Sequence, residues 1–507
     1  MTTRRQPVEL YCFFLLFAGL SLALPPLLFV TPQTPLWVLL FLEFLVLGVA
    51  LELSEILAAA ACGVRDLPKL ERLPEFPPVA VLFLVCDDLV PHALERLVAL
   101  DCPQADLFIL DDSTDAATRR ALDATGLRVV RRERRRGAKA GNLNHWLQRY
   151  GARYKYFLVL DSDSIIPAGF VEAILTYAEH PENARVAIFN SLPVCWNTDL
   201  RFPRLLATHT PLRNWSRIRL ANRSDAVLSN GHNNLHRTEA VIRVGGFDEA
   251  FVAEDIALTL KLLRAGYTSR LVNLRAFEAE PEHVFSYVRR LARWARQNVQ
   301  IHRADWQGIP LSVKFEMFKL NWWYISFFFY PAWVVLAVWS RRTSQTDVRL
   351  LWEIIALDGR QAFSLFAPSL AVLLLALSPV LLRVPLLIRE GIRLRDYAGN
   401  CVLSMAIAAY ATPAVCRAQA RAAVSDACDF EVTDKRVRRV TLGALLMSER
   451  LLIPFWLFLS VGFWFNRVAL VFSSLWFFCS LLAPLLIYCF HERRPPSQFG
   501  QRHGGQP

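Results

Sequence analysis

Long apolar runs at both ends of the chain, with none between Val64 and about Pro310, constrain the fold more than any other feature. Leu10–Val30 and Leu36 to about Ala60 precede the gap, and Leu320–Ser340, Ala362–Val384, Leu451–Phe465 and Leu470–Phe490 follow it. A helix needs about 20 apolar residues to cross a bilayer core. These runs therefore read as membrane spans, two before and about four after a soluble insert. Lipid satisfies no backbone hydrogen bond, so the spanning part is expected to be an all-α bundle. Charged residues make up only 20% of the chain, against about 25% in soluble domains. The first run follows Arg4 and Arg5 and leads at once into a second, which argues for a retained anchor over a cleaved signal peptide.

Lysine and arginine near the span ends set orientation. Arg4, Arg5, Arg65, Lys69 and Arg72 place the amino terminus and the insert in the cytoplasm, and Arg389, Arg393, Arg395, Arg493 and Arg494 agree. Arg341, Arg342 and Arg349 weaken the pattern without reversing it. Gly399–Val424 is apolar enough for a seventh span, but crossing would carry Arg417, Arg421, Lys435, Arg436, Arg438 and Arg439 outside. A helix lying in the cytoplasmic interface avoids that and is the expectation here. The expected division is 1–64, two transmembrane helices; 65–310, a cytosolic domain; 311–397, an interfacial helix and two spans; 398–440, a second interfacial helix and a loop; 441–492, two spans; and 493–507, a disordered tail. The net charge of +12 mostly reflects inner-face arginines facing a lipid bilayer, so no nucleic-acid partner is expected. The ten cysteines show no C-x-x-C pair or zinc spacing and read as small buried hydrophobes.

In the insert, short β-rich runs alternate with helix-like segments. Residues 79–85, 107–110, 127–130, 156–160 and 186–189 read as strands, and segments near 91–100, 115–124, 140–150 and 169–180 as helices. That alternation predicts a mostly parallel α/β sheet with helices on both faces, whose ligands bind at the carboxyl ends of the strands. Acids stand at three such ends: Asp87 and Asp88, Asp111 and Asp112, and Asp161 and Asp163 in "VLDSDSIIP". Clustered carboxylates need a compensating cation or donors. A divalent metal shared with substrate phosphates is the simplest, although a D-x-D also serves turns and helix caps. His145, His232 and His236 have no carboxylate or thiolate spacing for a metal; His232, in "GHNN", is a candidate sugar contact. "RRERRRG" (131–137) is expected to be a solvated basic patch, with contact to a diphosphate as the alternative. The aromatic stretch "FKLNWWYISFFFYPAW" (318–333) fits either sugar stacking in a channel or an interfacial belt.

Taken with "ILDDSTD" (109–115), "GAKAGNLN" (137–144), "NGHNNLHR" (230–237), "VGGF" (244–247), "AEDIALTLKLLRAGY" (253–267), "RLARW" (290–294) and "FEVTDK" (430–435), the chain resembles the membrane-integrated processive family 2 glycosyltransferases. These include cellulose, chitin and hyaluronan synthases, and there is some likeness to periplasmic glucan synthases. The resemblance implies a GT-A-like domain, a UDP-sugar donor, Mg²⁺ or Mn²⁺, a glycan acceptor, and an inner (plasma) membrane location of bacterial type, with export partners in the membrane or periplasm. It assigns Asp111 and Asp112 to the uridine, with Asp87 and Asp88 beside them, and Lys139 and Gly141 to the nucleotide neighbourhood. By the same resemblance Asp161 and Asp163 hold the metal and diphosphate, and Asp255, preceded by Glu254, is the catalytic base. Arg290, Arg293 and Trp294 fall on the Q-x-x-R-W motif, and Phe430, Val432, Thr433 and Lys435 on the gating loop. Departures are Arg290 for Gln, Gln297 for a common Gly, and Ala253 for Thr, which leave acceptor and linkage open. The expected activity is inverting transfer of a hexose, glucose favoured, to a growing β-linked polysaccharide coupled to export. The alternatives are single transfer to a membrane lipid and a non-catalytic nucleotide-sugar-binding component.

Overall fold

A computed structural model of the chain describes residues 8–27, 36–339, 359–425, 440–448 and 482–491. Its centre is a seven-stranded sheet in the order β3-β2-β1-β4-β6-β5-β7. The strands are β1 (Val79–Val85), β2 (Ala105–Asp111), β3 (Arg128–Val130), β4 (Tyr156–Asp161), β5 (Val186–Cys195), β6 (Asn234–Arg237) and β7 (Thr268–Glu278). All pairings are parallel except those of β6 with β4 and β5.

The period-two geometry of a strand sends alternate side chains to opposite faces, and β1 is buried along its whole length. Val79, Val81, Phe83 and Val85 enter one core with α3 (Pro91–Val98) and α6 (Phe170–Ala178). Ala80, Leu82 and Leu84 enter the other, with Leu143, Trp146 and Leu147 of α5 (Ala138–Tyr150). That second face also takes α9 (Thr238–Arg243) and α10 (Glu254–Arg264). Between β2 and β3, α4 (Ala116–Asp123) starts where the Asp115 carboxylate accepts the Thr118 N–H at 2.9 Å. The four strands expected at 79–85, 107–110, 127–130 and 156–160 are present, and 186–189 is the first half of β5. The sequence reading missed β6, only four residues long, and β7, whose arginines and asparagine break its apolar pattern.

Helices surround this domain: α1 (Val8–Leu27) and α2 (Leu36–Ala61) before it, α7 (Arg201–Ala207), α8 (Thr210–Leu220) and α11 (Val284–Gln300) within it. After it come α12 (Leu311–Trp339), α13 (Gly359–Arg389), α14 (Leu394–Val424), α15 (Leu442–Ser448) and α16 (482–490). Lys319 of α12 pairs with Glu9 of α1 and, at 3.1 Å, with Glu55 of α2. Glu55 also accepts the Ser216 hydroxyl of α8 at 2.6 Å, tying the domain to these helices. Among the described residues two helices, Leu39–Ala61 and Leu394–Val424, are long and apolar enough to cross a membrane. The second contains the segment read as interfacial, and the boundary drawn at 397/398 falls inside it. Its buried side packs on α11 and α7, sharing Leu403, Ile407 and Tyr410 with Val288 and Phe202. From the aromatic stretch, Tyr324 and Phe327 enter that same core and Trp322 packs on Phe44, while Trp323 and Phe328 are exposed. Leu451–Phe465, most of Leu470–Phe490, the tail 493–507 and the loop bearing Phe430, Val432, Thr433 and Lys435 lie outside the described residues.

Candidate functional site

Parallel register brings the acidic strand ends together: Val85 pairs with Asp111, and Leu84 with Asp161. What each acid does there differs. The Asp111 carboxylate, fully buried, accepts from Arg131 Nε and the Ser113 N–H at 2.6 and 2.8 Å. Asp112 is forked by Arg132, with Nε on one oxygen at 2.9 Å and Nη2 on the other at 2.6 Å. Both side chains of this second pair are under a tenth exposed. The same guanidinium donates to the Arg136 and Ala138 carbonyls, so Arg132 joins the end of β2 to the start of α5. Two of the expected basic-patch arginines are thus internal counter-ions, while Arg134, Arg135 and Arg136 are exposed. Gly141 makes this possible, since a Cβ there would lie 2.0 Å from the Arg136 oxygen and 2.4 Å from Arg132 Nη1.

Asp87 and Asp88 shape the loops. Asp87 accepts the Thr114 and Asp115 N–H groups at 2.7 and 2.8 Å and the Thr114 hydroxyl at 2.7 Å. Partial burial works against its charge, but these donors win and hold it below the usual carboxylate range. Asp88 accepts the Ser162 hydroxyl at 2.7 Å, linking the β1 end directly to the D-x-D turn. In that turn Asp161 is partly open while Asp163 is buried, its carbonyl accepting the Trp196 indole N–H at 3.0 Å.

Lys139, in the first turn of α5, is the hub. Its ammonium donates to Asp161 at 2.6 Å and to the Gly231 carbonyl at 2.8 Å, and lies 3.8 Å from Glu254. Burial disfavours its charge, yet Asp161 and Glu254 outweigh that and raise its pKa. Glu254 and Asp255 open α10. Burial, only partly offset by Lys139, pushes Glu254 up to about 7. Burial likewise raises Asp255, against the Ile256 N–H that its carboxylate accepts at 2.8 Å. Gly231, at φ +81°, lies so close that a Cβ would be 2.8 Å from Asp255 Oδ2.

The far wall is α11. Arg293 is half-buried there, and Asp161 and Glu254 are the carboxylates whose fields act on it most. Trp294 is 36% exposed, with the Arg290 guanidinium 4.9 Å over its ring. Arg290 is paired with buried Glu280. Next to it, His232 Nε2–H donates to Glu278 at 3.1 Å and its Nδ1 faces the Asn233 amide at 3.0 Å. Both ring nitrogens are engaged by these neighbours, which leaves neither free as a donor. Burial lifts Glu278 above the usual range. His236 is stacked on Phe157, centroids 4.8 Å apart. The sequence reading missed Glu278 and Glu280; the acids of "FEAEPEH" (277–283), at the end of β7 and just beyond it, were the available signal.

Asp161 and Asp163 supply carboxylate oxygens, the donors that Mg²⁺ and Mn²⁺ prefer. Among the described residues no three His, Cys, Asp or Glu side chains gather as a complete metal site. A divalent ion held by these two carboxylates would take phosphate oxygens and water in its remaining positions.

A family profile described as "Glycosyl transferase family group 2" matches residues 156–382, which include the D-x-D turn, Glu254, Asp255 and α11. The chain is 26% identical over 254 residues to "Glucans biosynthesis glucosyltransferase H" of Caulobacter vibrioides, covering 44% of this chain and 38% of that protein. It is 26% identical over 283 residues to "Cellulose synthase 1 catalytic subunit [UDP-forming]" of Komagataeibacter xylinus, covering 51% and 37%. The matched region thus spans less than two fifths of these curated relatives. A mannosyltransferase structure from Pyrobaculum calidifontis, in complex with GDP-Man and Mn²⁺, is similar at 19% identity and TM-score 0.45, covering 66% of this chain and 96% of that one. Over these residues, and in the site they contain, the chain is similar to the family 2 glycosyltransferases, glucan and cellulose synthases among them.

Proposed function

We propose that the chain is an inverting, UDP-sugar-dependent glycosyltransferase at the cytoplasmic face of a bacterial-type inner membrane. It adds a hexose, glucose favoured, in β linkage to a growing glycan that leaves through its own bundle of about six spans. The observation that carries this reading is the Lys139 hub, which joins the D-x-D turn, the Gly231 loop and the start of α10 in one cleft.

Asp161 and Asp163 would hold Mg²⁺ or Mn²⁺, which supplies charge compensation for a diphosphate leaving group. Lys139 and Arg293 bring further positive charge to the same place. Asp255 takes the proton of the attacking acceptor hydroxyl. Its raised pKa suits a general base, which needs a basicity nearer the working pH than an exposed aspartate has. Trp294 offers a half-open ring as a platform for the acceptor sugar. The loop bearing Phe430, Val432, Thr433 and Lys435 would close over the donor, by resemblance alone.

Membranes containing the protein, given labelled UDP-glucose or UDP-N-acetylglucosamine, test this. Release of UDP with a labelled product that Asp255→Asn abolishes is expected. A polymer supports export, whereas a single glycolipid points to lipid transfer, and no UDP release from either donor defeats the proposal.

A further inference from the structure

The helix that carries Arg290, Arg293 and Trp294 does not hold its own amino terminus alone. The first amides of a helix have no intrahelical acceptor. In α11 one of them, the Ser286 N–H, is taken by the side chain of the preceding His283 at 3.3 Å. Another, the Val284 N–H, donates to Nε2 of His491 at 3.1 Å, from a residue 207 positions away.

His491 directly follows α16. Its Nδ1–H donates to the Ile487 carbonyl at 2.8 Å, which leaves Nε2 as the acceptor. Its ring stacks on Phe202 of α7 with centroids 4.3 Å apart, and it is 7% exposed. Burial pushes its pKa down to about 4, so the ring stays a neutral acceptor at neutral pH. The same corner is fastened twice more: Arg201 Nη1 donates to the Cys489 carbonyl at 3.1 Å, and its guanidinium lies 5.2 Å over the Phe490 ring. Ala483 and Ile487 of α16 share one core with Val284, Val288 and Leu291 of α11.

We propose that His491 is a positioning residue: it caps α11 from outside the catalytic domain and so fixes where Arg293 and Trp294 stand. From Val284 to Trp294 is about 15 Å along a helix at 1.5 Å per residue, so a small tilt at the cap is magnified at the site. A displacement of about 1 Å is enough to cost up to about 100-fold in rate. The arrangement makes α16 a reporter of the helical bundle to the catalytic cleft.

The kinetic part of this inference rests on the proposed glycosyl transfer; the structural part does not. The test uses the full chain in lipid nanodiscs, with His491→Phe, which keeps a ring but loses the acceptor, and His491→Gln, whose amide oxygen restores one. Hydrogen exchange is followed at residues 284–287, and kcat and donor KM are measured from UDP release with UDP-glucose. In His491→Phe the Val284 amide is expected to exchange about tenfold faster, and kcat to fall about tenfold with donor KM within about twofold. Lys139 and the D-x-D turn, which the cap does not touch, hold the donor in the ground state, and Arg293 acts on the charge that develops as the diphosphate leaves. His491→Gln is expected to recover most of both. Unchanged exchange in His491→Phe, or faster exchange with unchanged kcat, overturns the inference. If the unaltered protein releases no UDP, the glycosyltransferase reading fails on its own, and exchange at Val284 still decides the cap.

Discussion

The Lys139 ammonium lies 2.6 Å from the Asp161 carboxylate and 3.8 Å from that of Glu254, so one buried cation serves two acids on different elements. Lys139→Met removes it and leaves both acids facing each other and Asp255. A hydrogen bond to a charged group is worth about 1.5–3 kcal/mol, and each 1.4 kcal/mol is about tenfold in rate. Loss of about 100-fold or more in kcat/KM is expected in a UDP-release assay. Lys139→Arg is not expected to restore it, because a planar fork replaces a compact point charge. Activity within threefold of the parent in Lys139→Met would place the diphosphate elsewhere.

Asp112 and Arg132 make a prediction of a different kind. The pair is buried and its fork is complete, so its first duty is to hold the end of β2 against the start of α5. Removing one partner of a buried pair costs about 3–5 kcal/mol, because a charge is left uncompensated. Asp112→Asn and Arg132→Met are each expected to lower the unfolding midpoint in detergent. The double variant should lose less than the sum of the two, as coupled neighbours do. Strict additivity would show the fork to be incidental.

The sheet and the three acidic strand ends were legible because short continuous apolar runs and acids just past them are local signals. Residues 79–85 and 156–160 show this, each apolar throughout and each followed by paired aspartates. The partners of those acids were not legible. Nothing in "RRERRRG" separates Arg131 and Arg132, which turn inward, from Arg134, Arg135 and Arg136, which are exposed. The difference arises where β3 ends beside β2, a tertiary fact. For the same reason the His232–Glu278 contact, between the loop before β6 and the end of β7, left no trace in local pattern. His491 and Val284 are further apart still.

Gly231 tests how tightly the proposed base is packed. Its φ of +81° disfavours any side chain, and a Cβ would sit 2.8 Å from Asp255 Oδ2. Gly231→Ala therefore either moves Asp255 or shifts the carbonyl that accepts from Lys139. Turnover is expected to fall by about 100-fold, with far-ultraviolet circular dichroism unchanged. Turnover near that of the unaltered protein would mean that the Asp255 position is not critical.

Glu282, between β7 and α11, gives the pH prediction. Its Oε2 is buried and has no hydrogen-bond partner among the described residues. Burial alone pushes its pKa up from an ordinary 4.5 to about 7. The folded state therefore favours the protonated acid. Its contribution to stability is intact below about pH 4.5 and is lost as pH rises through about 7, where the unfolded chain ionises freely and the folded one does so at a cost. Glu282→Gln removes that ionisation while keeping the shape. The variant should unfold at nearly the same temperature as the parent at pH 4.5 and at a higher one at pH 8. Thermal unfolding in detergent across that range checks it, and a difference that does not grow with pH would show that Glu282 ionises without penalty.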